Sequence, residues 1–165
     1  FSALLDITAT EAARGDNRGL APVALNETID SVVDLYEGVA EDRNVIVLAT
    51  TEPVTVLGDG MLLMRMVANV VDNAIKFSPE GGRVEIRLER HGVDAVLSVR
   101  DEGPGIPAGF EETAFERFTR AENVRSAPGH GLGLTLVRAI ALRHGMKISL
   151  ENAGPGLKVS FRAAL

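Results

Sequence analysis

Three clusters of residues have the types and spacing to do chemistry. The first is Asn69, Asn73 and Lys76 in one apolar-patterned stretch. Positions i, i+4 and i+7 of a helix lie within about 60° of one another, so two amide oxygens and one ammonium share a face. Asparagine is a poor mid-helix residue, and two on one face suit a ligand that uses their oxygens. Magnesium takes hard oxygen ligands together with substrate phosphates, and lysine suits a phosphate. The same stripe also reads as a solvated polar face. The second cluster is Asp101-Glu102-Gly103-Pro104-Gly105-Ile106, after a strand pattern. A carboxylate there can accept from an exocyclic amine, and the glycines let backbone approach a flat base; an acidic turn is the plainer reading. The third is Gly129-His130-Gly131-Leu132-Gly133-Leu134 at the start of a helical pattern. Exposed N–H groups at a helix N-terminus favour anions. Neither the Lys-Ser/Thr ending of a P-loop nor the buried strand of a dinucleotide fold is present, and a glycine hinge is the alternative. Between the second and third clusters stand Phe115-Glu116-Arg117-Phe118, Arg120 and Arg125. Here arginines can reach a terminal phosphate while phenylalanines anchor a loop; a hydrophobic clip with solvated arginines is the alternative.

Ordinary elements must position these groups. Asp59 is placed to cap a helix running to about Phe77, with Leu63, Val67, Val70, Val71 and Ala74 as its inner stripe. A second helix is expected from Asn26 as cap to about Arg43, with Ile29, Val32, Val33 and Tyr36 inward. A third spans Leu132 to His144, with Leu136, Val137 and Ile140 inward and Gly145 as its stop. Val45 to Ala49 and Val54 to Leu57 read as strands. Val84, Ile86 and Leu88 alternate with charge and return as Ala95 to Val99 through His91-Gly92, a hairpin. Met146 to Leu150 and Leu157 to Phe161 form another, around Asn-Ala-Gly-Pro-Gly. The long irregular stretch from Asp101 to His130 suits a functional loop. The expected fold is an α/β two-layer sandwich: a mixed, mostly antiparallel sheet of about five strands with three main helices on one face. Phe1 to Ala13 reads as an amphipathic helix, followed by the loop signal Gly15 to Gly19 and Pro22.

Composition closes off other classes. The 165 residues, 45% hydrophobic and 24% charged, suit one domain or a domain with a short arm. With no cysteine, disulfides and thiolate metal sites are excluded. A net charge of −6, no tryptophan and one tyrosine speak against a nucleic-acid partner. Runs such as Val45 to Ala49 are too short to span a membrane, and no leader is visible. A chain that begins at Phe1 is expected to be part of something longer.

In order and spacing the clusters resemble the ATP-binding catalytic domain of bacterial sensor histidine kinases, in the gyrase/Hsp90/histidine kinase/MutL superfamily. Asn69-Val-Val-Asp-Asn73-Ala-Ile-Lys76 matches the asparagine box, and Asp101-x-Gly103-x-Gly105-Ile106 the first glycine box. Phe115-Glu-Arg117-Phe118 matches the phenylalanine box, and Gly129-x-Gly131-Leu-Gly133-Leu the second glycine box. The resemblance implies that Asp101 takes the adenine amino group and that Asn73 ligates Mg2+. It places Asn69 and Lys76 along the phosphates and has Gly131 and Gly133 donate backbone N–H groups to them. It assigns Asn69, Lys76 and Arg117 to the transfer, and Gly103, Gly105, Ile106, Phe118, Gly129 and Leu132 to the nucleotide pocket. Arg120 to Pro128 becomes a short ATP lid. Residues 1–20 become the tail and linker of a dimerisation-and-phosphotransfer domain, and 21–165 the catalytic domain.

The implied reaction moves the γ-phosphoryl group of Mg-ATP to a histidine on that other domain, for onward transfer to a response regulator receiver domain. The implied partners are a homodimeric parent through its own dimerisation domain and the receiver, with a membrane only through other parts of the parent and a cytoplasmic location. The acceptor-histidine motif is not among the three histidines, His91, His130 and His144. His130 fills a place where small polar residues are common. A gyrase-type ATPase would have a glutamate at the position of Asn69, and an amide is no base for water. An anti-sigma-factor serine kinase and a nucleotide-binding pseudokinase scaffold of the same fold are the other readings.

Overall fold

The computed structural model of the chain describes residues 20–105 and 130–165. Helix ends account for much of its framework. The first strand, β1 (Ala21–Ala24), leads directly into α1 (Leu25–Asp42). Asn26 does not cap this helix. The N-cap is Ala24, without a side-chain bond, and Asn26 Oδ1 instead accepts from Val54 N at 3.2 Å. Leu25 N donates to Val54 O at 2.8 Å, so the backbone of a later segment meets the start of the helix. At the other end Asn44 takes a φ of 53°. There Val45 N bonds Ala40 O and Asn44 N bonds Glu41 O, a left-handed stop that asparagine tolerates.

After β2 (Ile46–Thr51) and β3 (Thr55–Gly58) comes α2 (Gly60–Phe77). Asp59 caps it as expected, accepting from Met61 N at 3.0 Å and Leu62 N at 3.2 Å. All five residues of its expected stripe are buried, joined by Met66 and Ile75. The hairpin β4 (Arg83–His91) and β5 (Asp94–Arg100) follows. The remaining elements are α3 (His130–Arg143), β6 (Lys147–Asn152) and β7 (Leu157–Ala164). Helix α3 begins two residues earlier than its apolar pattern suggests. It ends where expected, with Met146 N on Ala141 O and Gly145 N on Leu142 O.

Five strands form one sheet in the order β2-β4-β5-β7-β6, with β2 parallel to β4 and the rest antiparallel. Period-two alternation sends Val84, Ile86 and Leu88, Ala95, Leu97 and Val99, and Leu157, Val159, Phe161 and Ala163 to one buried face. Ile86 sits opposite Val99, Leu88 opposite Leu97, and Leu97 opposite Phe161. The buried faces of α1, α2 and α3 join these residues in one core. The opposite face is charged and open; a groove there is lined by Glu85, Arg87, Arg100 and Lys158 among others. The sequence pattern missed β1, because four residues containing Pro22 carry a turn signal. They pair antiparallel with β3 in a small separate sheet, Pro22 opposite Leu57, an edge position proline tolerates. No helix among the described residues is long and apolar enough to cross a membrane.

Candidate functional site

The asparagine cluster and the first glycine cluster meet at one narrow cavity. It is lined by Val70, Asn73 and Ala74 of α2, Val99 of β5, Asp101, Leu134 of α3, and Leu157 and Val159 of β7. The helical period that buries Val70 and Ala74 also sets Asn73, half-buried, at this cavity. Asn69, one turn earlier, is likewise half-buried but does not line it. Lys76 is exposed, and its Nζ lies 2.9 Å from Asp72 Oδ2 one turn back. The ammonium of the asparagine cluster is therefore held by a neighbouring carboxylate.

Asp101 follows directly on β5 and is only 3% exposed among apolar neighbours. An ionised carboxylate so placed must be hydrogen-bonded. Its Oδ1 accepts from Gly103 N at 2.9 Å and from Leu157 N at 3.2 Å. Asp101 N donates to Leu157 O at 2.9 Å, which extends the pairing of β5 with β7 by one residue. Gly103 lies so close to Phe77 O, at the end of α2, that any Cβ there would collide with it. Glu102 Oε1 accepts from Arg83 N at 2.7 Å, and Glu102 N donates to the buried Ser78 hydroxyl at 3.5 Å. The 101–105 segment is thus clamped between the exit of α2 and the start of β7. Its carboxylate is aimed by main-chain donors.

The second glycine cluster enters through α3. With the helix starting at His130, Gly131, Leu132 and Gly133 occupy its first turn. First-turn N–H groups have no partner within a helix, which is where anions bind. Leu134, the next residue, is at the cavity wall. Far from the cavity, His144 at the end of α3 ties that helix to the beginning of α2. Its Nδ1 lies 2.8 Å from Ile140 O, and its Nε2 accepts from Asp59 N at 3.0 Å. This pattern fixes the neutral tautomer with the proton on Nδ1. Burial holds the imidazole below its usual range, and the Arg143 charge adds to that; the Ile140 bond and Asp59 pull the other way.

The structure therefore brings Asn73, Asp101 and the wall following Gly133 together, with Asn69 one turn away. Ile106, Phe115 to Phe118 including Arg117, the lid stretch Arg120 to Pro128, Gly129 and the helix expected over Phe1 to Ala13 lie outside the described residues. Sequence reasoning missed the third wall. Leu157 and the Gly-Pro-Gly turn before it read only as a hairpin, although Gly156 carried a signal in its need for a φ of +97°.

Residues 58–165 match the family model described as histidine kinase-, DNA gyrase B- and HSP90-like ATPase. Over 154 residues, 93% of this chain, the sequence is 38% identical to a signal transduction histidine-protein kinase/phosphatase MprB from Mycolicibacterium vanbaalenii. The chain spans 31% of that relative's length. Full-length ShkA in complex with AMPPNP superposes with a TM-score of 0.83 at 26% identity, over 98% of this chain and 34% of that one. Histidine kinase ThkA in complex with the response regulator protein TrrA superposes with a TM-score of 0.75 at 29% identity, over 88% of this chain and 41% of that one. Family match, fold and the meeting of the asparagine and glycine clusters agree, and the chain belongs to the histidine kinase-, gyrase- and HSP90-like ATPases as the ATP-binding catalytic domain of a sensor histidine kinase.

Proposed function

We propose that residues 21–165 hold Mg-ATP and present its γ-phosphoryl group to a histidine on a separate dimerisation-and-phosphotransfer domain. Residues 1–20 are then the tail and linker of that domain. The observation that carries this reading is the shared cavity of Asn73 and Asp101, 28 positions apart in sequence (101 − 73), beside the first turn of α3. In this reading Asp101 accepts from the adenine amine while apolar side chains cover the base. Gly131 and Gly133 offer main-chain N–H groups to the phosphates. Lys76, exposed and paired with Asp72, can turn from that carboxylate to a phosphate at small cost. The donor set at Asn73 fits magnesium, which needs few protein oxygens when phosphates supply others. Bound there, the ion would neutralise phosphate charge. The chain's own part is positioning, the main contribution in phosphoryl transfer.

The histidines favour an acceptor from outside. His91 pairs with Glu89 at 3.2 Å, at the β4–β5 turn. Both ring nitrogens of His144 are engaged between α3 and Asp59. Asn69 gives no base for water. The AMPPNP complex of ShkA and the response-regulator complex of ThkA support a nucleotide as ligand and a receiver domain as downstream partner. The proposed setting is a cytoplasmic domain of a homodimeric parent.

The test is incubation with γ-labelled ATP, alone and with a matching dimerisation domain. Acid-labile label on the added domain only is expected. Label on the isolated chain that disappears in His130→Ala would overturn the reading.

A further inference from the structure

The β6–β7 turn meets the base-binding segment more closely than a hairpin loop requires. Residues 101 and 157 exchange two bonds: Asp101 N donates to Leu157 O at 2.9 Å, and Leu157 N donates to Asp101 Oδ1 at 3.2 Å. The residue before Leu157 is Gly156, at a φ of +97° that L side chains rarely adopt. A Cβ on Gly156 would collide with the Asp101 carbonyl oxygen and carbon and lie 2.9 Å from Glu102 Cα. All three atoms are backbone, so no side-chain rotation relieves the clash. The turn is also tied to this segment on both sides. Arg100 Nη2 donates to Ala153 O at 3.1 Å. Beyond it, the Asn152 side chain closes over Gly105 so tightly that a Cβ on Gly105 would strike Asn152 Oδ1. The turn itself is closed by Ala153 N on Gly156 O at 2.9 Å, while Gly154 and Pro155 are exposed.

We propose that Gly156, with the backbone of Leu157, is the positioning device for Asp101, and that the β6–β7 turn thereby sets the preference for adenine. Gly156 touches no nucleotide in this assignment. It acts by letting the turn backbone lie flat on Asp101, so that the Leu157 N–H fixes which way the carboxylate points. The inference rests on the reading of Asp101 as the adenine acceptor. Adenine presents an N6 amino donor where guanine presents the O6 acceptor. A correctly aimed carboxylate therefore favours ATP over GTP, and a displaced one loses that discrimination. General loosening of the domain would instead weaken both nucleotides by the same factor.

Calorimetric titration of the chain with Mg-ATP and Mg-GTP tests this in wild type, Asp101→Asn, Gly156→Ala and the double variant. Gly156→Ala is expected to weaken ATP by about tenfold or more, the worth of one charge-assisted hydrogen bond. It should also erase most of the ATP-over-GTP preference, and it should cost little further ATP affinity when added to Asp101→Asn. A folded Gly156→Ala that keeps the wild-type preference, or that loses both nucleotides equally, overturns the proposal. An Asp101→Asn variant with an unchanged preference overturns the base-acceptor reading itself, which separates the two failures. Should Gly156→Ala not fold, heteronuclear NMR of the wild type with added adenosine decides. The Gly103 and Leu157 amide signals must then move together, and a Leu157 amide indifferent to adenosine while Gly103 responds refutes the assignment.

Discussion

Replacing Asp101 by asparagine tests the site with the least disturbance to the fold, because the structure says which way the amide must point. Oδ1 of Asp101 is held by two main-chain donors, Gly103 N at 2.9 Å and Leu157 N at 3.2 Å. An asparagine that keeps its oxygen there retains both bonds and puts its NH2 where the second carboxylate oxygen was. Turning the amide over would face NH2 against two N–H groups in a site that is 3% exposed. Each unsatisfied buried group costs roughly 1–3 kcal/mol, so the flip is closed off. The adenine amine then meets a donor instead of a charged acceptor. The expected loss is about 1–3 kcal/mol of binding, the worth of a charged hydrogen bond, which is roughly 5- to 150-fold in Kd. The fold should be retained, since the two main-chain bonds survive. Calorimetric titration with Mg-ATP reads the affinity and a thermal melt the fold. Unchanged affinity in a folded variant would refute the assignment of Asp101 to the base. A variant without a cooperative melt would refute the argument about amide orientation.

Asn73→Ala should abolish the magnesium dependence of nucleotide binding and strongly depress transfer to a supplied dimerisation domain; full retained transfer refutes the metal role. Leu97→Ala, in the centre of the sheet opposite both Leu88 and Phe161, should cost about 2–5 kcal/mol in denaturant unfolding; a loss under 1 kcal/mol would mean that the site collapses around the cavity. His144 gives a pH dependence whose sign follows from its lowered folded-state value. The unfolded chain binds the proton more readily, so stability is fully present above the ordinary value of 6.5 and is lost as pH falls below it. Unfolding midpoints between pH 8 and 5.5 should show this loss, roughly, in the wild type and a flatter profile in His144→Gln; identical profiles refute it.

Much of this frame is legible residue by residue, and the places where it is not share a cause. The Asp59 cap, the α2 stripe and the Gly145 stop are local: each is decided by residues within one or two helical turns, and each appears where the pattern puts it. Asn26 has the same local credentials as a cap. It is claimed instead by Val54, 28 residues away, because the strand entering the small sheet needs a partner for its N–H. Strand β1 is hidden for the converse reason. Its pairing with β3 supplies from a distance what four residues with a proline do not advertise. Lys76 shows a third kind of limit, since the face it shares with Asn69 and Asn73 was readable while its pairing with Asp72 depends on rotamers.

The site itself divides along the same line. Asn73 and Asp101 could be named because carboxylate and amide chemistry shows in residue type. The hold on its Oδ1 does not show, since Gly103 and Leu157 donate to it through main-chain N–H groups, which every residue except proline carries. The trace left in sequence by a side chain aimed by backbone is glycine. Gly103 lets the segment lie on Phe77 O, and Gly156 lets the turn lie on Asp101 O. The carboxylate alone would have been an acidic turn. The glycines around it, two positions on and 55 positions on, record that main chain from three elements converges there. With the carboxylate fixed in this way, the rest of the cavity wall apart from Asn73 is valine, leucine and alanine, which in the proposed function covers a flat base while Asp101 accepts from its amino group.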